Sequence, residues 1–107
     1  MGSGHWSAQR LTALALMPLT LWFIFSVFHL LGASHQAVVD WLSAPFTLVL
    51  MLAFIVATFY HLQLGLQVVI EDYVHSYEIK TASLLAMKAA CWLVGLACII
   101  SALKIGI

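Results

Sequence analysis

Three long apolar stretches separated by two short polar segments make up most of this chain. The apolar stretches cover residues 11–31, 45–70 and 82–105. Each reaches the ~20 residues that a helix needs to cross the hydrocarbon core of a bilayer. The polar segments are GASHQAVVDWLS and EDYVHSYEIKT. The pattern predicts an all-α bundle of three transmembrane helices, which forms a single membrane domain over residues 1–107.

The composition supports a membrane protein and excludes several other classes. The chain is 64% hydrophobic and only 7% charged, whereas a soluble domain has about 25% charged residues. With so few charges, a soluble fold of this size could not cover its surface with polar groups. The formal net charge is +0 with neutral histidines, so there is no basic patch for a nucleic acid. We therefore expect a lipid bilayer as the main partner and no nucleic acid.

The basic residues predict the orientation in the membrane. Arg10 precedes the first apolar stretch, and Lys80 and Lys88 lie at the start of the third. Lys104 alone lies at the opposite end. Because cytoplasmic loops are enriched in Lys and Arg, the N-terminus and the 71–81 segment are predicted on the cytoplasmic side. The N-terminus has no Arg-rich, Ser-rich transit peptide. This favours a bacterial inner (cytoplasmic) membrane over a mitochondrial inner membrane.

His61 is the most informative ionisable residue within the predicted spans, where any such group is a functional candidate. It lies eleven residues before Asp72, which corresponds to nearly the same helix face and a separation of about 16 Å along the axis. His61 is thus expected near the bilayer middle and Asp72 at the cytoplasmic surface. Two explanations for a histidine there remain open. One is a hydrogen bond to a neighbouring helix, and the other is a metal, usually haem iron in an apolar bundle.

Three further residues bear on a haem hypothesis. Gly65 lies one turn from His61 on the same face. It would let either a flat ligand or another helix approach closely, and for a glycine taken alone close helix packing is the favoured interpretation. His29 is predicted about 12 Å from the depth of His61, so a second axial ligand is expected from another subunit. Arg10 could reach a haem propionate, although an arginine before a first span is also an ordinary topology signal.

Asp72 and Tyr73 form an adjacent acid–phenol pair at the end of the second span. A tyrosine can donate a hydrogen bond to a carbonyl, and a quinone head group at the membrane surface needs such a donor and a proton route to water. The alternative is a polar helix end with an aromatic anchor, which is very common.

The stretch His61–Val74, HLQLGLQVVIEDYV, resembles the helix II signature of the D-type hydrophobic membrane anchor of succinate dehydrogenase. The shared pattern is a histidine, a glycine four residues later, and an Asp-Tyr pair eleven and twelve residues later. The entry to the first span, SAQRLTALAL, is also similar to that family. With the three-span layout, the resemblance covers nearly the whole chain, which would then be one half of a heterodimeric membrane anchor.

The resemblance implies a role for each of these residues. His61 would be an axial ligand of haem b, with Gly65 beside it and the other ligand supplied by a cytochrome b-type C anchor subunit. Arg10 would help to neutralise a haem propionate. Tyr73 would hydrogen-bond ubiquinone, with Asp72 supporting the site. The further partners would be an iron–sulfur subunit and a flavoprotein subunit of respiratory complex II, which passes electrons from succinate to ubiquinone.

The chain would not be catalytic on its own, since it has no flavin motif, cysteine cluster or dicarboxylate site. It would instead be a subunit of a succinate:quinone oxidoreductase of the tricarboxylic acid cycle and respiratory chain. A fumarate reductase subunit or another cytochrome b anchor would share its chemistry. A cofactor-free membrane scaffold is a second alternative. A small transporter is a third, but it would usually need more intramembrane charge or paired broken helices.

Overall fold

Residues 2–107 form four helices joined by three short connections. The computed structural model describes residues 2–107, apart from the side chains at positions 2, 3 and 5. Its helices are α1 (Gly2–Leu30), α2 (His35–Ser43), α3 (Pro45–Tyr73) and α4 (Tyr77–Gly106). Three of them, α1, α3 and α4, are long and apolar enough to cross a membrane. The predicted all-α bundle with three membrane spans is therefore confirmed.

The long helices extend past the apolar stretches that predicted them. α1 begins at Gly2 instead of residue 11, α3 ends at Tyr73 instead of residue 70, and α4 begins at Tyr77 instead of residue 82. A helix of 29 or 30 residues is about 44 Å long, whereas the hydrocarbon core is about 30 Å thick. Apolar sequence marks the part of a helix in lipid, but backbone hydrogen bonds continue through the polar ends. Arg10 consequently lies within α1 and does not precede it.

The segment 32–43, expected as a polar connection, contains the short helix α2. Gly32 ends α1 with a φ of 77°, a left-handed conformation that glycine adopts without steric cost. Ser34 then caps α2, because its hydroxyl accepts a hydrogen bond from the Ala37 amide at 3.1 Å. Leu42 of α2 is buried, and the helix packs against α3 and α4. A serine cap followed by an amphipathic nine-residue segment was the available signal for this helix.

α3 is the element on which the bundle is built. It packs along both α1 and α4. The ring centroids of Phe23 and Phe54 stack 4.8 Å apart between α1 and α3. On the other side, Gly95 of α4 lets the Phe59 side chain approach to 3.5 Å from the position that a Cβ would occupy. These contacts fix α1 and α4 on α3, and thereby fix the depth of each residue relative to His61.

Among the described residues, few apolar side chains are buried. The buried ones are Leu42, Leu64, Cys91 and Ala102. Most large apolar side chains of the three spans are exposed on the isolated chain. In a bilayer these surfaces contact lipid or the helices of another subunit, since lipid tails are as apolar as leucine.

Candidate functional site

His61 lies on α3 at the interface with α1. Its Nδ1 atom is 2.9 Å from the Oγ1 atom of Thr12, and the contact is partly buried. The hydrogen bond to a neighbouring helix, one of the two explanations for a histidine at this depth, is therefore present. It uses one ring nitrogen only. Within the described part of the chain, the other nitrogen, Nε2, makes no hydrogen bond, so the contact does not exclude a metal.

Gln9 and Gly65 meet at the same interface, one turn closer to the C-terminal end of α3. A Cβ added to Gly65 would be 3.7 Å from Gln9 Nε2, an ordinary van der Waals distance. The Gln9 Oε1 atom is buried and has no hydrogen-bond partner among residues 2–107. Gly65 thus faces the Gln9 side chain of α1 in this chain. At an interface between membrane helices, such a polar atom accepts a hydrogen bond from a neighbouring helix or is available to a donor of another subunit.

The sequence analysis did not select Gln9 or Thr12, although a signal for them existed. They are three residues apart, which places them on one face of α1. Polar side chains that share a face of an otherwise apolar membrane helix are expected to form hydrogen bonds with another helix. That rule, applied to the first span, would have paired this face of α1 with the only histidine of α3.

Arg10 lies at nearly the depth of His61 but on a different side of α1. It is two residues before Thr12, which corresponds to about 3 Å along the axis and about 160° around it. Its side chain is exposed, and its guanidinium carbon is 4.8 Å from the Trp6 ring centroid. The structure therefore does not bring Arg10 and His61 together within this chain.

Asp72 and Tyr73 lie at the C-terminal end of α3, and both are exposed. Because α3 is continuous from Pro45 to Tyr73, the eleven residues from His61 to Asp72 span about 16 Å, as expected. The neighbouring carboxylate of Glu71 accepts a hydrogen bond from Gln67 Nε2 at 3.3 Å. Neither Asp72 nor Tyr73 makes a side-chain hydrogen bond within residues 2–107. Both groups are free to contact a ligand or another subunit.

His29 lies far from His61, at the opposite end of α1. Thr12 marks the depth of His61 on α1, and His29 is seventeen residues beyond it, which is about 25 Å along the axis. The separation exceeds the expected 12 Å because Arg10 lies at nearly the depth of His61 and not at the depth of Asp72. No cluster of three or more His, Cys, Asp or Glu side chains capable of holding a metal occurs in the described residues. A metal at His61 would therefore need a ligand from outside this chain.

Comparison with known protein families assigns this chain to a family. A sequence model described as "Succinate dehydrogenase/Fumarate reductase transmembrane subunit" matches residues 1–97. The chain belongs to this family. The match covers α1, α2, α3 and most of α4, so the family assignment rests on the whole bundle and not on the His61–Val74 motif alone.

Relatives named as anchor subunits are similar over most of the chain. "Succinate dehydrogenase hydrophobic membrane anchor subunit" of Rickettsia bellii is 32% identical over 81% of this chain and 70% of its own length. That of Rickettsia felis is 33% identical over 84% of this chain and 75% of its own length. "Succinate dehydrogenase membrane anchor subunit" of Reclinomonas americana is 33% identical, covering 81% and 75%. No solved structure showed significant similarity to the chain.

The comparisons support a multi-pass membrane anchor subunit of succinate dehydrogenase. They do not favour the alternatives of a fumarate reductase subunit or a cofactor-free scaffold, because these relatives are all named for succinate dehydrogenase. The resemblance of the His61–Val74 stretch to the D-type anchor is thereby confirmed at the level of the family.

Proposed function

We propose that this chain is the D-type half of a heterodimeric membrane anchor that binds haem b and completes a ubiquinone site. The observation that supports the proposal best is the state of His61. It is an imidazole inside a membrane span with one nitrogen bonded to Thr12 and the other available. It lies in a chain whose relatives are named as succinate dehydrogenase anchors. Imidazole is a common axial ligand of haem iron.

The residues around His61 fit a haem that is shared with another subunit. His61 would supply one axial ligand. Gly65 would keep α3 free of side-chain bulk one turn from that ligand, next to the Gln9 side chain that it faces. When bound, haem supplies a one-electron redox centre inside the bilayer. Arg10 would offset the charge of a propionate. Since its guanidinium projects from α1 away from Thr12, we expect it to act at the surface where the partner subunit packs.

Tyr73 and Asp72 fit a quinone at the cytoplasmic surface. The Tyr73 hydroxyl can donate a hydrogen bond to a quinone carbonyl oxygen, and an exposed Asp72 carboxylate can orient that donor or pass a proton from water. Quinone reduction consumes protons, so a site that opens to the aqueous surface suits this chemistry. About 16 Å of α3 separates this pair from His61, which keeps the two proposed sites apart.

The remaining ligands and donors would come from other subunits. His29 is too distant to be the second axial ligand, so we assign that role to a cytochrome b-type C anchor subunit. An iron–sulfur subunit would dock on the side where α3 ends, next to Tyr73, and would link the chain to a flavoprotein subunit that oxidises succinate. The Rickettsia relatives favour a bacterial inner membrane.

The Tyr73→Phe variant tests the quinone assignment. Loss of one hydrogen bond to the substrate costs about 1.5 kcal/mol, so we expect quinone reduction by the purified complex to fall about tenfold. Succinate oxidation by a soluble artificial acceptor should not change. Tyr77→Phe is the matched control, since Tyr77 lies on the same surface and is 80% exposed, compared with 77% for Tyr73. Equal losses in both assays, or in both variants, would contradict the assignment.

A further inference from the structure

The hydroxyl of Thr12 has three close polar neighbours but only one proton. Its Oγ1 atom is 2.8 Å from the Ala8 carbonyl oxygen, 3.1 Å from the Gln9 carbonyl oxygen and 2.9 Å from His61 Nδ1. Carbonyl oxygens can only accept hydrogen bonds, whereas an imidazole nitrogen either donates or accepts, depending on the tautomer. The network therefore has to be solved as a whole before the protonation of His61 is assigned.

In only one tautomer of His61 can the Thr12 proton go to a carbonyl oxygen while the Nδ1 contact is also a hydrogen bond. If the Thr12 hydroxyl donates to the Ala8 carbonyl, its oxygen keeps a lone pair for a proton on His61 Nδ1. If the hydroxyl donated to Nδ1 instead, oxygen lone pairs would face each other across 2.8 Å and 3.1 Å with no proton between them. Threonine hydroxyls in helices commonly bond the carbonyl three or four residues earlier. The geometry assigns the proton to Nδ1 and the free lone pair to Nε2.

We infer that Thr12 is a positioning residue that prepares His61 to bind a metal through Nε2. The inference rests on the proposed role of His61. The carbonyl bonds of Thr12 restrain its own side chain, so the acceptor for His61 is fixed by α1 before any cofactor arrives. A ligating histidine usually donates its other N–H to a carboxylate, carbonyl or water, which fixes its tautomer and orientation. Here a hydroxyl from the neighbouring helix takes that place.

This role predicts that α1 and α3 must be packed together before the haem ligand is ready. Without Thr12, the His61 ring can rotate and take either tautomer, and only the tautomer with a free Nε2 lone pair offers that nitrogen to iron. Loss of such an outer partner costs 10–100-fold in metal affinity in other sites. The consequence is a change in how tightly haem is held and in the ligand field of the iron.

The test compares Thr12→Val, which keeps the shape and removes the hydroxyl, with Thr12→Ser, which keeps the hydroxyl. The complex is purified intact, and haem transfer to excess apomyoglobin is timed. The electron paramagnetic resonance spectrum of the oxidised haem is recorded in parallel. We expect Thr12→Val to release haem about 10–100-fold faster with shifted resonance positions, and Thr12→Ser to behave like the unmodified complex. Unchanged release and spectrum in Thr12→Val would overturn the inference.

Two further variants separate this inference from the proposed function. Haem that persists normally in His61→Ala would overturn the ligand assignment itself, whatever Thr12→Val shows. Haem that is lost in His61→Ala but unaffected in Thr12→Val would overturn only the role of Thr12. If the valine variant is not retained in the membrane, Thr12→Ala repeats the test without added apolar volume. Absence of both variants from the membrane would contradict a positioning role, since that role leaves insertion intact.

Discussion

Replacing His61 with alanine should remove haem without unfolding the membrane domain. The change deletes the 2.9 Å contact with Thr12, and hydrogen bonds between membrane helices contribute about 0.6 kcal/mol, with a maximum near 1.7. The Thr12 hydroxyl keeps its bond to the Ala8 carbonyl, so no buried donor is left unpaired. The stack of Phe23 on Phe54, worth about 0.5–1.5 kcal/mol, still joins α1 to α3.

Haem binding should respond much more strongly than packing. Removing an outer partner of a metal ligand costs 10–100-fold in affinity, and removing the ligand itself should cost more. The assay is the ratio of haem to protein in the purified complex, with the amount of this chain in the membrane measured by immunoblot. His29→Ala is the matched control, because His29 is an exposed histidine at the other end of α1 and should leave the ratio unchanged. A normal haem ratio in His61→Ala would refute the ligand assignment.

Two other positions give predictions of different kinds. We expect Gly65→Ala to insert normally, because its Cβ would meet only Gln9 Nε2 at 3.7 Å and because alanine is more favourable than glycine in a helix by about 1 kcal/mol. We expect this variant to hold less haem. Full haem content would show that Gly65 serves helix packing alone. Gly106→Ala is the contrasting control. Its Cβ would lie 2.8 Å from Leu48 Cδ1 and 3.2 Å from the Leu42 carbonyl oxygen. Because the leucine side chain can move, we expect the free energy of unfolding to fall by at most about 1 kcal/mol, with haem content unaffected. Arg10→Gln should lower the midpoint potential of the haem, because removal of a nearby positive charge favours the oxidised form. Lys104→Gln is the control and should leave the potential unchanged. Equal midpoint potentials in the Arg10→Gln variant and the unmodified complex would leave Arg10 as a topology signal.

The sequence predicted the number and type of the spans because lipid imposes a strong constraint. Every backbone polar group in the hydrocarbon core must be satisfied within the chain, so long apolar stretches such as residues 45–70 have to be helical. The helices extend beyond these apolar stretches at several of their ends. Hydropathy indicates which residues lie in the hydrocarbon core, but a helix can continue beyond them. Thus α4 begins at Tyr77, within a polar segment. The short helix α2 was missed because it is an amphipathic helix that packs on α3 and α4.

The candidate site was predicted in part. The spacing of His61 and Asp72 gave their separation along α3, since one continuous helix contains both residues. The pairing of His61 with Thr12 depends on how α1 packs against α3, which periodicity within one helix does not give. Helix periodicity separates Arg10 from Thr12 by about 160° around α1, so the packing of Thr12 against His61 directs Arg10 away from that interface. A second ligand for the proposed haem would belong to another chain, and the sequence of this chain does not encode the residues of another chain.

The most direct test of haem binding by this anchor is a reduced-minus-oxidised visible spectrum. The complex is purified in mild detergent through a tag on this chain, and succinate is the reductant. We predict a b-type haem signal that succinate reduces, which would require both the cofactor and an attached dehydrogenase. A preparation that retains its iron–sulfur and flavoprotein subunits but shows no haem would contradict the account, and would leave His61 as a residue that only packs α3 against α1.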